Sequence, residues 1–218
     1  SKYVGTDYEF IKATEETIVA KIDHSFVEVE AFDKFELLKK YINEAGERKI
    51  IVFVRTKHET EHLSRMLVDN GIKSGFLHGD LEQRQRARAL RAFKDNEIQV
   101  FVTTDVAARG LNMNNIDLVI NFHVPEDPEA YIHRIGRTGR AGAEGLAVMF
   151  VSPSEKMMMK NVERRNKIVL KQIDMEGNPV ERQPDNGRQG FGGGGGGYRG
   201  RGGGGGGYRG GRGGGGYR

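Results

Sequence analysis

His133-Arg134-Ile135-Gly136-Arg137-Thr138-Gly139-Arg140 sets three arginines at three-residue intervals, with a glycine in each gap. A guanidinium is a planar fork of donors that can hold two phosphate oxygens at once, and it stays charged at any physiological pH. Gly136 and Gly139 leave room for the backbone to approach a ligand closely. A basic loop that serves only solubility needs no glycine at both intervening sites. The stretch therefore reads as a phosphate-facing surface, and such a surface has to be carried by a rigid frame.

Outward from it, the chain alternates strand and helix signals. Asp127-Pro128 starts a short helix that ends at Gly136, between strands expected at 118–122 and 146–151. Further upstream, residues 49–54 are a continuous apolar, β-branched run, as expected of a parallel strand covered on both faces. Residues 98–103 read as another buried strand, 75–77 as a short one, and 25–29 as the first, after an ambiguous lead-in over 1–22. Between the strands, Leu38, Tyr41, Ile42 and Ala45 fall at helical spacing behind Asp33 as N-cap. Thr56 and Glu59 form a capping box opening a helix closed by Asn70-Gly71. Asp80 is the expected N-cap of a third helix. The alternation predicts an α/β fold, an open, mostly parallel sheet with helices on both faces, whose ligands gather at the carboxyl ends of the strands.

Composition divides the chain in two. The whole carries a net charge of +4, but residues 187–218 hold six arginines, no acid and 21 of the 32 glycines. Removing those arginines leaves about −2 on residues 1–186, so the basic character belongs to the tail. The expected organisation is a folded domain over 1–174, a linker over 175–186 and a disordered tail over 187–218. Tyr198-Arg199, Tyr208-Arg209 and Tyr217-Arg218 recur within the glycine runs, together with Arg201 and Arg212. Arginine supplies charge for phosphates and tyrosine a face for bases, so these residues are candidate RNA-binding positions. The chain has no cysteine, which fits a reducing cytoplasm, and no apolar run of membrane-spanning length.

With the arginine stretch, further motifs appear in order. H-R-I-G-R-T-G-R resembles the last motif of DEAD-box RNA helicases, and the leading His133 separates it from related helicases that begin the motif with glutamine. Arg55-Thr56 resembles the family's fourth motif and its adjoining RNA-contacting threonine. His78-Gly79-Asp80 followed by Gln83 and Arg86 resembles its Q-x-x-R element. Thr104-Asp105-Val106-Ala107-Ala108-Arg109-Gly110-Leu111-Asn112 resembles its fifth motif. The resemblance covers residues 2 to about 173 and implies a RecA-like second lobe. It implies Arg137 and Arg140 as arginine fingers, which neutralise charge on a transferring phosphoryl group and are worth roughly 10³ to 10⁵ in rate. It implies His133, Arg134 and Arg109 as coupling the lobes, and Gly110, Asn112, Arg137 and Arg140 as facing the nucleotide. Thr56, Gly79, Gln83, Arg86 and Thr104 are implied to face RNA. Asn112 departs from the family's aspartate, which leaves the ribose contact there without a charge.

No G-x-x-x-x-G-K phosphate loop and no D-E-A-D occur in the sequence. The resemblance therefore assigns ATP and Mg²⁺ mainly to an N-terminal lobe of the same protein, and the opening Ser1-Lys2-Tyr3-Val4 resembles the segment that joins the lobes. The expected partners are RNA and that lobe, with no metal site here, no membrane and a monomeric state. This chain alone is expected to be inactive. Two other classes stand beside it. One is a stand-alone RNA-binding module, which explains the tail but leaves the finger-like arginines without purpose. The other is a dinucleotide-binding domain, which fails because Gly136, Gly139 and Gly142 follow a helix and not a strand. Arg88 and Arg91 are read as a solvated helix face, and Arg109 as a possible ion partner of Asp105.

Overall fold

A computed structural model describes residues 22–109, 116–139 and 145–182. Within them lie strands β1 (Ile22–Glu28), β2 (Ile50–Phe53), β3 (Ser74–Leu77), β4 (Val100–Thr103), β5 (Leu118–Asn121), β6 (Gly145–Val151) and β7 (Lys171–Ile173). Six helices alternate with them: α1 (Lys34–Ala45), α2 (Lys57–Asp69), α3 (Gln83–Lys94), α4 (Asp105–Ala108), α5 (Ala130–Ile135) and α6 (Lys156–Asn166). The strands form one sheet in the order β3-β4-β2-β5-β6-β1-β7, and every pairing is parallel.

The apolar run at 49–54 explains the layering. In β2, Ile50 and Val52 join a core with Leu37, Leu38, Ile42, Leu63 and Leu67 of α1 and α2. Ile51 and Phe53 point the opposite way, into a core with Phe93 of α3, Tyr131 and Ile135 of α5, and Met159 and Val162 of α6. Strand side chains alternate between faces, so a strand covered on both sides must be apolar throughout. Each large side chain removed from water contributes about 1.5–3 kcal/mol.

Three local expectations are corrected. Asp33 precedes α1 in helical backbone geometry (φ −90°, ψ −11°) and makes no side-chain cap, because a capping carboxylate needs an extended backbone to turn back onto the first amides. Asp80 does not cap α3. The cap is Glu82, whose amide donates to Gln85 Oε1 at 3.0 Å, while Asp80 pairs with Lys57. The first part of the expected linker folds back on the domain: Val180 N donates to Gln172 O at 2.9 Å, and Arg182 forks onto Glu163 at 2.7 and 3.0 Å with its guanidinium over the buried Phe26 ring. Thr56 caps its helix as expected, accepting from Glu59 N at 3.2 Å, but the capping box is half formed because the Glu59 carboxylate accepts from the Arg55 amide at 3.1 Å; the close at Asn70-Gly71, where Gly71 has φ +79°, matches the expectation.

Candidate functional site

Parallel strands bring the ends of β3, β4 and β2 side by side, and the described residues expected to face RNA follow those ends. Thr56 follows β2 and is exposed. Gly79 follows β3, and a Cβ added there would meet nothing within 4 Å, so packing makes no demand for glycine. Gln83 is the first, exposed residue of α3, where amides without intrahelical partners suit an anion. Arg86 is half-buried and donates to Ala107 O at 3.0 Å, tying α3 to the segment after β4. Thr104 begins that segment and is nearly buried. Arg88 is exposed, and Arg91 reaches only Asp95 at 3.4 Å, as a solvated face should.

The arginine stretch lies one strand further along. Arg134, on α5, is buried at 3 % exposure and uses its whole fork within the lobe. Its Nε and Nη2 donate to the two Asp105 carboxylate oxygens at 2.6 and 2.8 Å, and its Nη1 to Asn121 Oδ1 at 2.9 Å and His123 O at 3.0 Å. Its Cζ lies 5.1 Å from the Phe53 ring centroid. Asp105 is thus partnered by Arg134, not by Arg109. A planar, five-donor group can satisfy acceptors on α4 and at the end of β5 at once. Around this hub, Asp105, Arg109, His133, Arg134 and Arg137 line one cleft.

Of the two glycines of the stretch, Gly139 serves packing. Gly139 has φ +68°, and a Cβ on it would sit 2.9 Å from Ile22 Cγ1. A Cβ on Gly145, at the start of β6, would lie 2.5 Å from the Gly139 amide nitrogen. The backbone after α5 is therefore pressed onto β1 and β6, with no room for a side chain at either point. Gly136 has φ −63°, an ordinary value for any residue. Arg140, Gly110, Asn112 and the tail positions Tyr198, Arg199, Arg201, Tyr208, Arg209, Arg212 and Tyr217 lie outside the described residues.

A second polar cluster has no motif to announce it. Lys34 Nζ is 2.6 Å from Glu155 Oε2, both side chains nearly excluded from water, and also donates to Phe122 O at 2.9 Å. Glu155 Oε1 accepts from Arg55 Nη2 at 3.1 Å and faces His123 Nδ1 at 3.2 Å, while His123 Nε2 is 2.5 Å from Glu59 Oε1. Burial opposes the charge on Glu155, but hydrogen bonds from His123, Lys34 and Ser152 outweigh it and hold the carboxyl well below the usual range. Burial likewise opposes the charged imidazole, and the bonds to Glu155 and Glu59 outweigh it, raising His123 above its ordinary value. Glu59 is held low by the same contact against its own burial. Burial draws the Lys34 ammonium down, opposed by the hydrogen bond and charge of Glu155.

The chain matches the helicase conserved C-terminal domain over residues 33–142. It is 43% identical over 164 residues to the DEAD-box ATP-dependent RNA helicase CshA of Bacillus cereus, covering 75% of this chain and 31% of that protein, so it spans about a third of this relative. Its fold superposes on the E. coli DEAD-box protein SrmB, solved with regulator of ribonuclease activity A, with a TM-score of 0.68 and 31% identity over 75% of this chain and 97% of that one. It also superposes on S. cerevisiae Dbp5 bound to RNA and ADP BeF3, with a TM-score of 0.67 and 30% identity over 72% and 42% of the two chains.

Proposed function

The chain belongs to the DEAD-box RNA helicases, whose C-terminal, RecA-like lobe it carries, and from that premise we propose that it binds RNA and supplies arginine fingers to ATP held by an N-terminal lobe of the same protein. ATP-dependent unwinding or remodelling of RNA is the activity of the whole. The observation that carries the reading is the cleft at Arg109, His133 and Arg137, where the one acidic lining residue, Asp105, is already neutralised by Arg134. Such a donor set suits a polyphosphate: it is cationic and built on the ends of secondary structure. Mg²⁺ and the phosphate cradle would come from the other lobe and would supply polarisation of the phosphoryl group.

Within this lobe the residues have separate tasks. Arg137 and Arg140 neutralise charge as it builds on the transferring group, an effect available only when the lobes close. Arg134 acts inside the lobe, holding Asp105 and the β5 end in place, while His133 and Arg109 face the other lobe across the cleft. Thr56, Gly79, Gln83, Arg86 and Thr104 present one RNA-facing edge. Dbp5, similar in fold over 42% of its chain, is described with RNA and ADP BeF3 together, which supports RNA and a nucleotide as ligands of the whole protein.

Steady-state ATPase assays test this. The 218-residue chain alone should hydrolyse no ATP. Joined to its N-terminal lobe it should show RNA-stimulated turnover that Arg137→Ala abolishes and Arg137→Lys lowers by roughly 10² or more, since lysine keeps the charge but loses the fork. Full activity in the lysine variant would remove the finger assignment. A joined protein that binds RNA but never turns over ATP would favour the stand-alone RNA-binding module.

A further inference from the structure

His123 stands between the two halves of the site and belongs to neither of its motifs. It follows β5, the strand between β2 and β6, and the two sides of the residue face different ways. Its imidazole points into the second cluster, with Nε2 on Glu59 of α2 and Nδ1 on Glu155 of the turn after β6. Its carbonyl accepts from Arg134, which holds Asp105. Glu59 in turn accepts from the amide of Arg55 at 3.1 Å and lends its own amide to Thr56. A continuous path thus runs from Thr56 through Glu59, His123 and Arg134 to Asp105, next to Thr104.

We propose that His123 is a positioning residue that holds the RNA-facing turn at 55–59 in register with the Arg134–Asp105 hub, and that it does so as the doubly protonated imidazolium. This rests on reading the lobe as facing RNA on one side and nucleotide on the other. Each ring nitrogen faces a carboxylate, so only the imidazolium donates to both; a neutral ring turns a lone pair toward one of them. The other charges around it are Lys34 of α1, 3.5 Å from Nδ1, and Arg55, which divides itself between Glu155 and the exposed Glu126. Arg134, from α5, reaches only the carbonyl. Lys34 and Arg55 both lie on Glu155, whereas the Glu59 carboxylate meets the ring with no other side-chain cation on it among the described residues; that contact favours the cationic ring, and the upward displacement of His123 agrees with it.

Two measurements decide it. In NMR titration of the chain itself, the backbone amides of Glu59 and Asp105 should both follow the titration midpoint of the His123 ring, and Glu59→Gln should lower that midpoint. An Asp105 amide that ignores the ring while the Glu59 amide follows it overturns the tie. In the joined helicase, His123→Ala should raise the RNA concentration for half-maximal ATPase stimulation about tenfold, the scale of one lost charge-assisted hydrogen bond, while KM for ATP stays in place. His123→Gln, which can still donate to Glu59, should recover most of that loss and serves if the alanine variant folds poorly. Equal RNA dependence in all three proteins overturns the proposal. A wild type without RNA-stimulated turnover rejects the helicase reading instead, and the amide titration then decides the positioning role alone.

Discussion

Arg134 and Gly145 show how single residues hold the site without touching a ligand. Arg134→Met should cost about 3–5 kcal/mol in chemical denaturation, because it leaves the Asp105 carboxylate and the Asn121 carboxamide without the cation that satisfies them. Arg134→Lys should cost less but remain clearly destabilising, since one ammonium cannot fork onto Asp105 and still reach β5. Gly145→Ala places a Cβ against the Gly139 backbone, which cannot yield without displacing the arginine loop. Its expected cost is about 1–3 kcal/mol, with shifted amide signals at Thr138 and Gly139 and reduced RNA-stimulated turnover in the joined protein. Gly75→Ala is the control: its Cβ would meet Ile98 Cδ1 at 2.5 Å, the end of a flexible side chain that can turn aside. Equal costs for the two alanines would mean that the arginine loop is not held by this packing.

Between elements, the cluster joining α1, α2, β5 and the turn after β6 gives the fold a pH response. His123 is raised above 6.5 in the folded state, so its contribution is fully present below that value and is lost as pH rises through the folded one. Glu59 and Glu155 are held below 4.5, so theirs are present above that value and lost as pH falls through the folded ones. The cluster therefore supports the lobe most between 4.5 and 6.5. Urea midpoints should fall on raising pH above this window, and His123→Gln should flatten that fall. An unchanged alkaline slope in the variant would assign the response to other groups.

At the scale of the whole molecule, charge separates the folded lobe from the tail. With about −2 on residues 1–186 and six arginines beyond, the tail should supply most of the RNA affinity of this chain when the N-terminal lobe is absent. Full engagement of six arginines on a single strand corresponds to a log-log salt slope of about −4, and partial engagement to less. Truncation after Asp185 should remove most binding and flatten the salt response. Joint Tyr198→Ala, Tyr208→Ala and Tyr217→Ala substitution should weaken binding without altering the slope, since stacking carries no net charge. Titrations of labelled single-stranded RNA at several salt concentrations distinguish these outcomes, and equal affinities with and without the tail would give the binding to the lobe.

What the sequence by itself determined was whatever depends on near neighbours. The run at 49–54 could only be a strand covered on both faces, and Thr56 and Asn70-Gly71 bound their helix because caps act within four residues. The stretches at 55–56, 78–86 and 104–109 fall at strand ends as expected, since a parallel sheet carries its loops there. Cap geometry at Asp33 and Asp80 departs from the expectation because competing choices one and two residues on, Lys34 turning inward and Glu82 taking the cap, depend on what lies beneath. Only the tertiary structure decided the partners of charge. Lys34 meets Glu155 across 121 positions, Asp105 chooses Arg134 over the nearby Arg109, and His123 acquires two carboxylates from different elements. The sheet order, the three-residue β7 and the press of Gly139 against Gly145 are decided at the same level. Periodicity records which face of an element avoids water, but a buried charge is satisfied by whichever group the crossing of strands brings within about 3 Å, and that distance is written in no local pattern.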